Sequence, residues 1–136
     1  MAFISSYTYS IDTKKRILIP SKFREELGDT FYLTRSLDDC LTIYPEKEWG
    51  EFVKDLDELP AMAREYFMSF ALKCVTDTSG RILLEDKHIR HAKIAKNAVF
   101  VGASKTINIW SEELWTKREE DRNREEIRAF LSVKRM

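Results

Sequence analysis

Long apolar runs are missing from this chain. No stretch approaches the roughly 20 apolar residues that a membrane-spanning helix needs. The opening segment MAFISSYTYSIDTKK lacks a basic start, an apolar run and a small-residue cleavage site. It therefore does not read as a secretory signal, and a cytoplasmic location is expected. Cysteine is scarce: Cys40 and Cys74 stand in unrelated segments beside Leu41 and Val75, with no CxxC pair. Buried reduced thiols are expected, not a disulfide or a metal site. Two histidines, His88 and His91, lie three apart but have no further ligand candidates at fitting spacing, so no metal and no cofactor is expected. Glycine-rich phosphate loops and a Ser or Cys nucleophile with a recognisable base are also lacking. The chain reads as a non-enzyme, and Asp38-Asp39 reads as turn chemistry.

Net charge is the last absence: 23 basic residues balance 23 acidic ones. Nucleic-acid-binding domains tend to be basic, so what matters here is distribution. From Asp12 to Arg24, Lys14, Lys15, Arg16, Lys22 and Arg24 face a single acid, a local charge of +4. From Glu46 to Glu65, seven acids face three bases, a local charge of −4. The acidic run around Asp55 to Glu58 reads as a solvated helix face. The chain is neutral but polarised.

What is present is a repeat. Asp12-Thr-Lys-Lys-Arg-Ile-Leu-Ile matches Asp77-Thr-Ser-Gly-Arg-Ile-Leu-Leu in five of eight positions at an offset of 65. Leu41-Thr-Ile-Tyr-Pro-Glu-Lys-Glu-Trp matches Ile107-Asn-Ile-Trp-Ser-Glu-Glu-Leu-Trp at an offset of 66. Two collinear blocks indicate a duplicated unit of about 65 residues. In the first unit, strands are expected over Phe3–Ile11 and Arg16–Ile19, with a polar turn between them. Pro20 should open a helix, Ser21–Leu27, that Gly28 ends. Strands at Phe31–Thr34 and Leu41–Tyr44 flank a Ser36–Asp39 turn, and a helix runs from Glu46 to about Leu56. The second unit retraces this with strands at 70–76, 81–84, 98–101 and 107–110 and helices at 86–93 and from 112. The expected division is 1–56 for the first repeat, 57–69 for a helical connection, 70–118 for the second repeat and 119–136 for a charged, partly helical tail. In that tail Ile127, Phe130 and Leu131 form a small apolar stripe. A four-strand unit is too small to close a core alone, so the fold expected is α+β, one intertwined pseudo-symmetric domain built from two β-hairpin repeats.

The motif Asp-x-x-x-Arg has a physical reading. In a turn, Asp accepts backbone N–H bonds two residues on, and an Arg four residues later can pair with that carboxylate. Held at the hairpin base, its forked donors suit phosphate or the O6/N7 edge of guanine, and two antiparallel strands fit the major groove. The plainer alternative is an ion pair that only staples a turn. Tyr7, Tyr9, Tyr44, Trp49, Trp110 and Trp115 read as packing residues in preference to base-stacking platforms.

The segments DTKKRILIPSKFREELG and DTSGRILL, with INIWSEELW, resemble the MraZ family over roughly residues 1 to 118. The resemblance implies two AbrB-like swapped-hairpin repeats, each with an Asp-x-x-x-Arg motif, here Asp12 and Arg16, and Asp77 and Arg81. It implies a DNA-binding transcriptional regulator, nucleoid-associated, that forms a ring (octamer or dodecamer). Its target would be double-stranded DNA, the tandem promoter repeats of the cell division and cell wall gene cluster. With the local charge, the expected DNA-binding set is Asp12, Lys14, Lys15, Arg16, Lys22, Arg24, Asp77 and Arg81. The chain departs from the family pattern at Lys15, where Gly is usual, at Glu85, where Pro is expected, and at His88 and Ile89, where an apolar residue and Arg are common. From Asp77 to Lys93 four bases face three acids, so the first motif is expected to carry more of the binding. The alternative function is an AbrB-fold interaction or scaffold protein, antitoxin-like, without DNA binding.

Overall fold

Strand alternation places the apolar residues. In Arg16–Leu18 (β2) and Arg81–Leu83 (β6) the central Ile17 and Ile82 point inward, 0% and 3% exposed, while the residues on either side face out. The computed structural model describes residues 2–135, so the expected domain limits at 1 and 136 lie outside the described residues. Its other elements, in chain order, are β1 (Ser6–Ser10), α1 (Ser21–Leu27), β3 (Phe31–Arg35), β4 (Leu41–Pro45), α2 (Glu46–Asp57), α3 (Ala61–Met68), β5 (Leu72–Cys74), α4 (Asp86–Ala92), β7 (Asn97–Gly102), β8 (Ile107–Ser111), α5 (Glu112–Glu120) and α6 (Arg124–Arg135).

β1 and β2 do not pair with each other, in keeping with the intertwined, swapped-hairpin fold expected. The polar turn between them closes, with the Asp12 N–H donating to the Arg16 carbonyl at 2.9 Å, but the strands then part. β1 pairs antiparallel with β7, and β2 pairs antiparallel with β6. Each strand finds its partner in the other repeat because an exposed two-strand hairpin would leave Ile17 or Ile82 uncovered. Crossing buries both in one core.

Six strands form one antiparallel sheet in the order β1-β7-β8-β4-β3-β5, and β2 and β6 form a separate ribbon. The order reads the same from both edges once repeat positions are exchanged. The pseudo-twofold axis passes where equivalent residues meet: Ile17 opposite Ile82 in the ribbon and Thr42 opposite Asn108 in the sheet. There the Thr42 hydroxyl donates to Asn108 Oδ1 at 2.9 Å. These pairs have the sequence offsets of the repeat itself.

Between ribbon and sheet lies the core, with Ile17, Ile19, Ile82 and Leu84 above and Phe31, Leu33, Leu41, Ile43, Phe100, Ile107 and Ile109 below. Each such side chain contributes about 1.5–3 kcal/mol on burial. On the sheet's other face, the Trp49 ring of α2 stacks on Tyr32 at 5.1 Å, and Phe52 stacks on Tyr44 at 4.8 Å. Trp115 of α5 meets Trp110 at 6.2 Å. Tyr7 packs edge-on to Phe23 and Tyr9 to Phe100. The aromatic residues thus serve packing.

Two expected strands come out shorter. Ser5 takes a positive φ of 71° and interrupts the first, leaving Phe3 in an isolated bridge to Ser104. The strand expected over 70–76 is confined to β5, because the chain is still turning out of α3 at Phe70 and Ala71. Phe70 is instead a platform: the Arg35 guanidinium lies between the Tyr66 and Phe70 rings, 3.8 and 3.9 Å from their centroids. The connection between repeats is therefore fastened to β3. The tail stripe stays largely exposed, Phe130 at 65%, on the rim of a shallow concavity that includes Trp110 and Leu114. Among the described residues, no helix is long and apolar enough to cross a membrane.

Candidate nucleic-acid interface

The two Asp-x-x-x-Arg motifs cap opposite ends of the same ribbon. Asp12 Oδ1 accepts the N–H groups of Lys14 and Arg16, each at 2.9 Å, and Oδ2 accepts from Arg16 Nε at 3.1 Å. The Arg16 N–H, then that of Lys14 and the guanidinium, hold the Asp12 carboxyl below its usual range despite some desolvation. Asp77 repeats the turn chemistry, accepting from Ser79 N at 2.8 Å and Arg81 N at 3.0 Å. Its carboxyl is likewise lowered, first by the Arg81 N–H and then by Ser79, with the Arg16 charge contributing across the ribbon. The second motif differs in one respect. Among the described residues the Arg81 side chain makes no ion pair, with Asp77 or with any other acid.

Period-two alternation then aligns the arginines. Arg16 lies directly opposite Leu83, and Arg81 opposite Leu18. All four project from the outer face of the ribbon, since Ile17 and Ile82 occupy the inner face. Arg16 and Arg81 are diagonal neighbours across the ribbon, a relation that sets residues roughly 7–8 Å apart in antiparallel pairs. The two motifs form one surface, and the ribbon that carries it exists only because the repeats have exchanged strands.

The surrounding cations are distributed across repeats. Lys15 Nζ reaches Asp86 Oδ1 of α4 at 2.6 Å, and that lysine lowers the Asp86 carboxyl. Lys15 also occupies a left-handed conformation, φ 64°, where Gly80 in the second turn has φ 81°. Arg24 of α1 lies against the second turn, so closely that a Cβ added at Gly80 would fall 1.8 Å from Arg24 Nη1. Each turn is thus braced by the short helix of the other repeat. Lys14 is exposed and shares a shallow concavity with Lys15, Leu83, Glu85, Asp86, Lys87 and Arg90. Lys22 faces elsewhere, toward Ile4, Ser5 and Glu25 near the start of the chain.

Of the eight residues singled out in the sequence, Asp12, Lys14, Lys15, Arg16, Asp77 and Arg81 gather at the ribbon and its end turns. Arg24 sits behind the second turn, and Lys22 is apart. Lys87 and Arg90 were missed as members of the same concavity. Their signal was a three-residue spacing on α4, which places both on one face. The histidines are held by backbone groups. His88 is fully buried, with Nε2 2.8 Å from the Phe70 carbonyl oxygen and Nδ1 accepting the Glu85 N–H at 3.3 Å. Desolvation lowers its pKa. His91 Nε2 lies 3.0 Å from the Asp38 carbonyl. Burial pushes the Cys40 thiol up to about 11 and that of Cys74 up to about 12, so both are protonated near neutral pH.

The sequence model of a family described as "MraZ protein, putative antitoxin-like" matches residues 2–66 and, a second time, residues 67–131. Over 135 residues the chain is 42% identical to a protein of Lachnoclostridium phytofermentans named Transcriptional regulator MraZ, spanning 96% of this chain and 95% of that one. Proteins of the same name are similar in Clostridium acetobutylicum (44% over 122 residues, 85% of each chain) and in Desulforamulus reducens (42% over 121 residues, 85% of each).

Proposed function

The chain belongs to the MraZ family, and from that premise we propose that it is a transcriptional regulator whose β2–β6 ribbon enters the major groove of DNA. The observation that carries this reading is the placement of Arg16 and Arg81 on one outward ribbon face. A two-stranded antiparallel ribbon fits a groove about 12 Å wide, and Arg is the commonest reader of the O6/N7 edge of guanine. Lys14, Lys15, Lys87 and Arg90 stand beside the ribbon, where the phosphates would pass. Arg16 enters already oriented, because its Nε is committed to Asp12 and its terminal nitrogens remain available.

One ribbon offers few contacts, so useful affinity requires several subunits engaging repeated sites together. We therefore assign the protein to a closed ring of subunits, an octamer or dodecamer by family resemblance. It would bind tandem promoter elements of the cell division and cell wall gene cluster, spaced near one helical turn, about 10 bp. A fluorescence-anisotropy titration tests this, using the duplex upstream of the protein's own coding sequence and a shuffled duplex of equal composition. The expected preference is about 10³-fold or more. The logarithm of affinity should fall linearly with that of salt, with a slope of roughly −4 per engaged subunit from four phosphate contacts. Equal affinity for both duplexes would refute sequence-specific regulation.

A second reading rests on the family description's words "putative antitoxin-like": a scaffold of this fold that binds a protein partner without DNA. It predicts no salt-dependent duplex binding at all.

A further inference from the structure

Both repeats place a leucine two residues after the motif arginine, in Arg16-Ile17-Leu18 and Arg81-Ile82-Leu83. Strand alternation puts each Arg and its following Leu on the outward face. The two leucines are not equivalent. Leu18 is half-buried, whereas Leu83 is 60% exposed and lies in the concavity edged by Lys14, Lys15, Lys87 and Arg90. Lone exposed leucines are ordinary on protein surfaces. This one sits directly opposite the guanidinium-bearing Arg16 on a short strand, in a concavity that holds four cations and two acids, Glu85 and Asp86, the second of them paired with Lys15.

Resting on the DNA reading above, we infer that Leu83 is a specificity-determining residue that reads the C5-methyl group of a thymine beside the guanine contacted by Arg16. The geometry sets the spacing. Residues directly opposite in an antiparallel pair have Cβ atoms about 4.5–5.5 Å apart, and successive bases rise about 3.4 Å. Leu83 therefore falls one to two base steps from the base that Arg16 reads. In the major groove the methyl of thymine is the one apolar group among polar edges, and an apolar side chain is its natural contact. The lysines and Arg90 at the edge of the concavity would hold the flanking phosphates and press the leucine onto the base.

The test uses the full chain and a duplex that the wild-type protein selects from a randomised library. Each thymine is replaced in turn by deoxyuracil, which removes only the methyl group, and each guanine by 7-deazaguanine, which removes N7. For the wild type, one thymine within two base steps of an N7-dependent guanine should lose about fourfold in affinity on demethylation, the factor that one buried methyl supplies. Leu83→Ala should bind the thymine and deoxyuracil duplexes alike, and Arg16→Ala should become indifferent to the 7-deazaguanine. Leu83→Thr, which keeps strand propensity, serves as the second variant and should show a reduced demethylation effect. If Arg16→Ala keeps the guanine dependence, the DNA reading itself fails. If Arg16→Ala behaves as stated but Leu83→Ala loses as much as the wild type on demethylation, only the leucine assignment is overturned. A change in the solution mass of Leu83→Ala would place the residue in a subunit contact and overturn it as well.

Discussion

Replacing Lys15 with Gly separates two quantities that this residue combines. Lys15 sits at φ 64°, and a non-glycine residue in the left-handed region costs roughly 1–2 kcal/mol. Glycine removes that strain but frees the unfolded chain, which offsets roughly 0.4–1 kcal/mol of the gain. The pair with Asp86 is lost too, but both side chains are about half exposed, 48% and 60%, and exposed pairs add little. The net expectation is a gain of about 0.5–1 kcal/mol, or a Tm rise of about 2–5 °C for a chain of this size. DNA affinity should move the other way. With one phosphate contact gone, the salt slope should become shallower by about one, and binding should weaken alike across sequences. Calorimetry at low ionic strength and anisotropy titrations between about 50 and 200 mM salt measure both. A lower Tm in Lys15→Gly would refute the strain argument. An unchanged slope would show that Lys15 remains with Asp86 and never reaches a phosphate.

Arg16→Ala is expected to abolish specific binding while leaving solution mass and Tm unchanged. The charge balance around the second turn pointed to a smaller loss for Arg81→Ala, but the shared ribbon face and the unpaired Arg81 side chain now point to a comparable one, measured by the same titration. Gly80→Ala should destabilise the fold by about 1–2 kcal/mol, because φ 81° is strained for alanine, and should also displace Arg24 from the turn; an unchanged Tm would refute this. His88 supplies a pH dependence. Its folded pKa lies below the value near 6.5 of an unfolded chain, so its contribution is intact above about pH 6.5. As pH falls further the unfolded chain takes up a proton that the folded one refuses, and stability drops by up to about 1.4 kcal/mol per unit. Urea unfolding at pH 7.5 and 5.5 should show this fall in the wild type and a flatter profile in His88→Phe.

Element positions were legible because period-two and helical patterns are local. Ile17 between outward Arg16 and Leu18, or Trp49, Phe52 and Leu56 on one helix face, need no knowledge of partners. The repeat offset even anticipates the axis, since Ile17 and Ile82 meet across it. That the repeats intertwine was expected from their small size, but which strand pairs with which was not legible. An Asp turn closed by backbone N–H groups looks the same whether its two strands pair with each other or part, and the difference is set by core burial elsewhere. Contacts created by the exchange were hidden for the same reason, including Lys15 with Asp86 and Arg24 over Gly80. The departures at Glu85, His88 and Ile89 were visible as anomalies. Only the structure explains His88: it fills the place that Phe23 takes in the first repeat and satisfies both ring nitrogens on backbone groups. No contact accounts for Ile89 beyond packing at the core's edge.

Two left-handed positions recur in each repeat, and the glycines are divided between them. At the motif turn Gly80 is in the second repeat and Lys15 in the first. At the end of the short helix Gly28 is in the first and Lys93 in the second, at φ 56°. Each lysine in a strained position reaches an acid of the opposite repeat, Lys15 to Asp86 and Lys93 to Asp39. Local strain is therefore accepted where a cross-repeat tie is gained, and of the two glycine sites Gly80 leaves room for a neighbour, Arg24, whereas a Cβ at Gly28 would meet nothing within 4 Å. It follows that the interface cannot be assembled from half the chain. Isolating either repeat removes the partner strand of its own ribbon segment, the helix that braces its turn and the cover of its central isoleucine, so the surface proposed to read DNA and the fold stand or fall together.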